Sequence, residues 1–289
     1  MDVVRDAVLV AAGLGKRMFP ASAFSPKEAL PLIDVPLLTH LILEAKEANI
    51  QRFHVVVSPT KSFEPWLENR ENLHALQTRL DKQLFHAAAG MEIHVHVQHE
   101  PKGVANAIET ALGAVEGPFL VMLGDNLLMD VHAPVEAYVP SAASKRLVQA
   151  FMDHGKPTIG LMEVDEADVG KYGIVGLEDQ RICAMVEKPA PENAPSKMAI
   201  CGRYVFSAET QALLKTYTYD QHGELQSIAL LKHWMNEGAL HGHVFENTQW
   251  YDSGDPLLWL KAQVDHALRR ADYGEDMRAW LNDRLSGQR

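Results

Sequence analysis

Only two cysteines occur in 289 residues, and no CxxC pairs them, which argues against a disulfide-stapled scaffold or a thiolate metal site. Cys183 and Cys201 both fall in apolar, strand-like stretches and read as buried free thiols, a usage that fits a reducing cytoplasm. No apolar run approaches the roughly 20 residues a membrane-spanning helix needs, and Met1 to Arg5 leads straight into a strand rather than a signal-peptide core. Positive charge is in short supply: 27 Lys and Arg stand against 38 Asp and Glu, a net −11, so no nucleic-acid duplex is expected as a partner. Any anionic substrate must instead meet a local cationic pocket. Three catalytic signatures are also missing. There is no GxxxxGK[ST], the GxGxxG pattern fails at Met18, and 14 histidines include no HExxH. No internal repeat or low-complexity segment is present.

What is there is 47% hydrophobic residues, enough for a sizeable core, arranged as alternating strand and helix signals. Ala7 to Ala12 is a short apolar run ended by Gly13, as expected of a strand buried on both faces. A long loop follows, then Leu37, Leu38, Leu41, Ile42 and Ala45 at helical spacing and a second strand at Phe53 to Val57. Lys61 to Gly90 is charged, with Leu73, Leu76, Leu80 and Leu84 on one stripe, and predicts a helical surface insertion. Glu92 to Val97 places Ile93, Val95 and Val97 on one strand face, and an amphipathic helix opens after Gly103. Phe119 to Leu123 is a buried strand ending at Gly124-Asp125-Asn126. Shorter strands are expected at 158–164, 172–175, 182–186, 199–206 and near 243–246, with a helix near 225–235 and another begun by Asp255-Pro256. No linker divides the chain. The expectation is one α/β unit over 1–268, a nucleotide-binding half (1–130) covered by a second half (131–268), and a polar C-terminal helix or tail at 269–289.

Ligands of such sheets sit beyond the carboxyl ends of the strands, where AAGLGKRMFP lies. Gly13 and Gly15 let backbone N–H groups approach phosphate oxygens, and Lys16 and Arg17 add charged donors. A plain strand-to-loop turn would use the same glycines. Lys27, held between two prolines in SPKEALP, is better placed to aim its ammonium at a ligand than to move freely in solvent. Asp125, after a buried strand, and Asp252, in YDSGD, are each compatible with a turn or cap; together they suit Mg²⁺ completed by phosphate oxygens. Glu187-Lys188 offers an acceptor and a cation side by side, which suits a sugar phosphate.

AAGLGKRMFP, SPKEALPLIDVPL, QHEPKGVANAI, LGDN, YGIV, VEKP, APSKMAICGRYVFS and YDSGD resemble, in order, motifs of the bacterial UTP:glucose-1-phosphate uridylyltransferases within the sugar-phosphate nucleotidyltransferase superfamily. The resemblance runs from about Ala7 to Leu268. It implies a Rossmann-like nucleotide-diphospho-sugar transferase fold, with a mixed, mostly parallel central sheet flanked by helices. It also implies formation of UDP-glucose and pyrophosphate with Mg²⁺, and a homodimer or homotetramer. Carried over, Ala12 and Gly13 line the nucleotide; Arg17 and Lys27 hold the triphosphate; Gln98 and Gly103 read the base; Asp125 and Asp252 bind the metal. Gly173, Glu187, Lys188 and Arg203 belong to the sugar-phosphate side.

The sequence departs from the family pattern in several places. Lys16 replaces a threonine, GVANA stands for GLGHA, and HGELQSIALL keeps Glu224 and Gln226 while Ile228-Ala229 replaces a Thr-Asp pair. YDSGD resembles the thymidylyltransferase ending, which leaves another base and sugar as an alternative reading, and the change at Ile228-Ala229 leaves a non-catalytic nucleotide-sugar-binding paralogue as another.

Overall fold

The computed structural model describes residues 3–217, 220, 223 and 226–287. In chain order the strands are β1 (Asp6–Val10), β2 (Pro31–Leu32), β3 (Val35–Pro36), β4 (Arg52–Val57), β5 (Glu92–Val97), β6 (Phe119–Leu123) and β7 (Asn126–Met129). They continue as β8 (Thr158–Glu163), β9 (Gly173–Glu178), β10 (Arg181–Glu187), β11 (Met198–Phe206), β12 (His241–Val244) and β13 (Gln249–Asp252). Nine of them form one sheet in the order β5-β4-β1-β6-β11-β8-β12-β10-β9. The first four pair in parallel; beyond them every pairing is antiparallel except β12 with β8.

This is a helix–sheet–helix sandwich, and the alternation along β1 shows why. Ala7 and Leu9 enter a core shared with Leu41 of the helix Leu37–Glu47 and Leu147 and Phe151 of the helix Ala143–His154. Val8 enters the opposite core, with Ile108 of the helix Gly103–Ala111 and Leu230 of the helix Gln226–Asn236. Both faces are covered, so residues 7–10 of β1 read as an unbroken apolar run. The sheet's order reverses at β1, which has β4 on one side and β6 on the other, and the crevice beyond their carboxyl ends is where such sheets take ligands.

Two expectations change. The leucine stripe of 61–90 does not become a helix: four-residue pieces at Glu64–Leu67 and Glu71–His74 and a 3₁₀ turn at Lys82–Phe85 replace it, with Leu76 exposed. Asn69 and Asp81 accept hydrogen bonds from the backbone N–H groups of Glu71 and Gln83, local bonds that compete with a continuous helix. Cys201 is buried, but Cys183 is exposed, because β10 turns Ile182 and Met185 inward and Cys183 outward. β5 is the sheet's edge, and Val95 and Val97 on its apolar face lie open rather than packed. The helix expected near 225 is described from Gln226; Glu224 and Leu225 lie outside the described residues. The C-terminal segment is the helix Gly274–Ser286. No helix among the described residues is long and apolar enough to cross a membrane.

Candidate active site

A cleft of about 1040 Å³ opens at the reversal point and continues across the second half of the sheet. Arg17, Gly103, Asp125, Gly173, Glu187, Lys188 and Asp252 border it, so residues from six separate stretches of chain meet around one space.

The two aspartates reach it on a ribbon of their own. β7 and β13 form a two-stranded antiparallel sheet apart from the main one, with Asn126 opposite Asp252. Asp125, one residue before β7, is fastened to the end of β13 by the Ser253 N–H, which donates to its carbonyl at 2.8 Å. The side chains differ in their surroundings. Burial works to raise the pKa of Asp125, but the charge and hydrogen bond of Lys27, with Arg17 beyond, bring it below the ordinary carboxylate value. Burial raises that of Asp252, the Gly254 N–H opposes it, and the charge of Asp125 adds to the rise. The charge on Asp125 thus makes Asp252 harder to ionise. A divalent cation relieves that repulsion, and the donor set is right for a hard one: carboxylate oxygens, with no thiolate or imidazole in the pair. Two carboxylates are too few for full coordination, and among the described residues no third His, Cys, Asp or Glu completes a cage, so phosphate oxygens would supply the rest.

The glycine-rich loop supplies cations. Gly15 adopts φ +64° and leads into the 3₁₀ turn Lys16–Met18; Lys16 and Arg17 are exposed and Met18 is buried beneath them. Ser22 Oγ donates to the Gly15 carbonyl at 2.7 Å and folds the loop back on itself. Lys27 is only 7% exposed and its Nζ donates to Asp125 Oδ2 at 2.5 Å. Beside it, Glu28 is buried against Lys61, whose Nζ donates to both Glu28 Oε2 and the Ala11 carbonyl at 2.8 Å. The loop therefore rests on a buried ion pair at its base.

On the far wall, Gly173 and Glu187 are register partners at adjoining ends of β9 and β10, and a Cβ on Gly173 would come within 3.0 Å of Glu187 Oε2. Lys188 takes φ +47°, an uncommon conformation for a side-chain-bearing residue, and its N–H donates to the Tyr172 carbonyl at 3.0 Å.

Not every expected residue borders the cleft. Ala12 is buried, and Gly13, Gly15 and Lys16 follow the carboxyl end of β1 outside the lining. Gln98 donates to the Gly103 carbonyl at 3.1 Å and to Asn106 Oδ1 at 2.8 Å, bracing the start of the helix that forms one wall. Arg203 does not reach the cleft: it is 0% exposed, its guanidinium bonds Glu44 through two nitrogens at 2.9 and 2.8 Å and donates to the Asn126 carbonyl at 2.9 Å. It supports the ribbon from behind. Conversely, Asn126, Lys171, Tyr172, Trp250 and Lys261 line the cleft without having been singled out. Asn126 and Trp250 flank the two aspartates in LGDN and QWYDSGD, and that adjacency was the available signal.

Residues 6–267 match the nucleotidyl transferase family, and the chain belongs to it. It is 31% identical over 292 residues to the UTP–glucose-1-phosphate uridylyltransferase YngB of Bacillus subtilis (strain 168), an alignment spanning 97% of this chain and 95% of that protein. A UTP–glucose-1-phosphate uridylyltransferase of Staphylococcus epidermidis is also 31% identical, over 97% of this chain and 98% of its own. Among solved structures, a UDP-glucose pyrophosphorylase complexed with UDP-glucose superposes with a TM-score of 0.79 at 25% identity, covering 91% of this chain and 98% of that one.

Proposed function

We propose that this chain is a UTP–glucose-1-phosphate uridylyltransferase, joining UTP and glucose 1-phosphate into UDP-glucose and pyrophosphate. The observation that carries the reading is the cleft itself: Arg17, Asp125, Glu187, Lys188 and Asp252 converge there in a chain that aligns nearly end to end with enzymes of that activity. In this reading the sheet's first half (1–130) takes the nucleotide and residues 131–268 take the sugar phosphate. Ala12, Gly13, Gly15 and Lys16 approach the nucleotide from the loop, and Gln98 and Gly103 lie on its base side. Gly173, Glu187 and Lys188 receive the sugar phosphate. The enzyme works in the cytoplasm as a homodimer or homotetramer.

A sugar-phosphate oxygen forms the new bond to the α-phosphorus, and the bond to the β-phosphate breaks, its electron pair leaving with pyrophosphate. The attacking oxygen is already anionic near neutral pH, so no general base is required. The chain's task is to hold two polyanions in line and offset their repulsion. Lys188 neutralises the incoming phosphate while Glu187 accepts from sugar hydroxyls. Arg17 faces the charge that grows on the departing pyrophosphate. Lys27, tied to Asp125, keeps that carboxylate ionised. Asp125 and Asp252 would hold Mg²⁺, whose charge neutralises the triphosphate when it is bound.

A pyrophosphate-release assay over UTP, dTTP, CTP, ATP and GTP against several sugar 1-phosphates tests the proposal. UTP with glucose 1-phosphate should give the highest kcat/KM. A preference for dTTP, or release from no pair, overturns it in favour of a thymidylyltransferase or a binding paralogue.

A further inference from the structure

The metal-site carboxylate is tied to an aromatic side chain. The Trp250 indole N–H donates to Asn126 Oδ1 at 2.7 Å, and Asn126 Nδ2 donates to Asp125 Oδ1 at 2.8 Å. Each end of this relay is one-way: an indole N–H can only donate, and an ionised carboxylate can only accept. The amide between them therefore has a single satisfactory orientation, and a flip would face donor to donor and acceptor to acceptor. The other Asp125 oxygen is held by Lys27 at 2.5 Å, so both oxygens have a partner.

The relay is itself braced. Gly202, at φ +75°, leaves room for the amide, since a Cβ there would lie 3.0 Å from Asn126 Cγ. The Asn126 carbonyl is fixed by Arg203. The Tyr172 ring packs on Trp250 with centroids 4.6 Å apart, and Tyr172 stands next to Gly173 on the opposite wall. Ligands oriented in advance by such outer partners lose less freedom when a cation arrives.

We propose that Trp250 is a positioning residue, acting through Asn126 to hold Asp125 in the geometry that receives the divalent cation. The proposal rests on the functional reading above only in taking Asp125 as a cation ligand. Trp250→Phe keeps the ring and removes the N–H. A Mn²⁺ titration of the UTP-loaded enzyme followed by electron paramagnetic resonance, without sugar phosphate, should show the dissociation constant raised about 3- to 10-fold, the range for one lost hydrogen bond. The cation concentration for half-maximal activity should rise in parallel, while kcat recovers at saturating cation and metal-free UTP binding is unchanged. Asn126→Ala cuts the relay at its middle and carries the same expectation should the phenylalanine variant not fold; the double variant should lose no more than the worse single one. Mn²⁺ binding equal to the parent's in these variants, additive losses, or no Mn²⁺ bound by the parent would each overturn the proposal. Pyrophosphate release by the parent with W250F binding Mn²⁺ normally defeats the relay alone. Relay-dependent Mn²⁺ binding without pyrophosphate release defeats the functional reading alone.

Discussion

Gly254 and Arg17 occupy adjoining space: a Cβ on Gly254 would stand 2.7 Å from Arg17 Nη2 and 2.9 Å from Asp252 Oδ1. The glycine of YDSGD thus leaves room for a guanidinium from one end of the chain near a carboxylate from the other, whose ionisation its charge favours. Nothing in the Gly254 backbone requires glycine, since its φ is not in the positive range. Gly254→Ala should therefore leave thermal stability nearly unchanged while pushing Arg17 aside. The expected result is a kcat loss of about tenfold or more with a normal melting curve, of the order expected when a charge-stabilising donor is misplaced.

Arg17→Ala removes the guanidinium altogether. Its charge is needed most as negative charge moves onto pyrophosphate, so turnover should fall roughly a hundredfold, with a much smaller change in UTP affinity. Steady-state kinetics paired with calorimetric UTP binding separates the two. An unchanged kcat would remove Arg17 from the chemistry.

Lys61 and Glu28 form a pair whose side chains are 6% and 1% exposed. Burial raises the pKa of Glu28 against the pull of Lys61 and Lys27, and burial lowers that of Lys61. Lys61→Met strands a buried carboxylate and should cost about 3–5 kcal/mol in chemical denaturation. Adding Glu28→Gln to it should return part of that loss. A cost below about 1 kcal/mol for the single variant would mean the pair is of the weak, exposed kind.

Asp6 gives the fold an acid limit. Burial pushes its pKa up, but hydrogen bonds from His54 and Arg52, the Arg52 charge and the Glu116 N–H bring it from 3.8 down to about 2. A folded-state pKa lowered in this way contributes stability above the unfolded value, and that stability is lost as pH falls through the folded one. The contribution is about 2 kcal/mol, present above roughly pH 4 and gone near pH 2. Arg52→Ala should lower stability at neutral and alkaline pH alike and move the acid-unfolding midpoint, followed by circular dichroism, to higher pH.

The parallel half of the fold was legible because β1, β4 and β6 are apolar runs closed by glycine or a polar turn, and the helices between them carry a clear stripe. Asp125 and Asp252 stood out because each closes a strand, and Lys27 because two prolines hold it; the fold brings Lys27 onto Asp125. Arg203 was misread as a cleft residue. The pairing of β11 with β8 shifts register between Ile200 and Tyr204, Gly202 sits at φ +75° between them, and Arg203 faces the core and Glu44. An arginine beside such an irregularity looks the same in sequence whichever way it faces. Lys61 looked like the start of a solvated insertion, because its partner Glu28 lies 33 residues earlier. Gly254 and Trp250 depend on neighbours from Arg17 and Asn126, contacts that only the closed fold creates.

The central claim is that Asp125 and Asp252 meet around one divalent cation when nucleotide is bound. Crystals grown with UTP and Mn²⁺ and measured at the manganese edge test it directly. The account predicts an anomalous peak about 2.2 Å from an oxygen of each aspartate, with phosphate oxygens completing the shell. Manganese bound by the triphosphate alone, with neither carboxylate in reach, would contradict it.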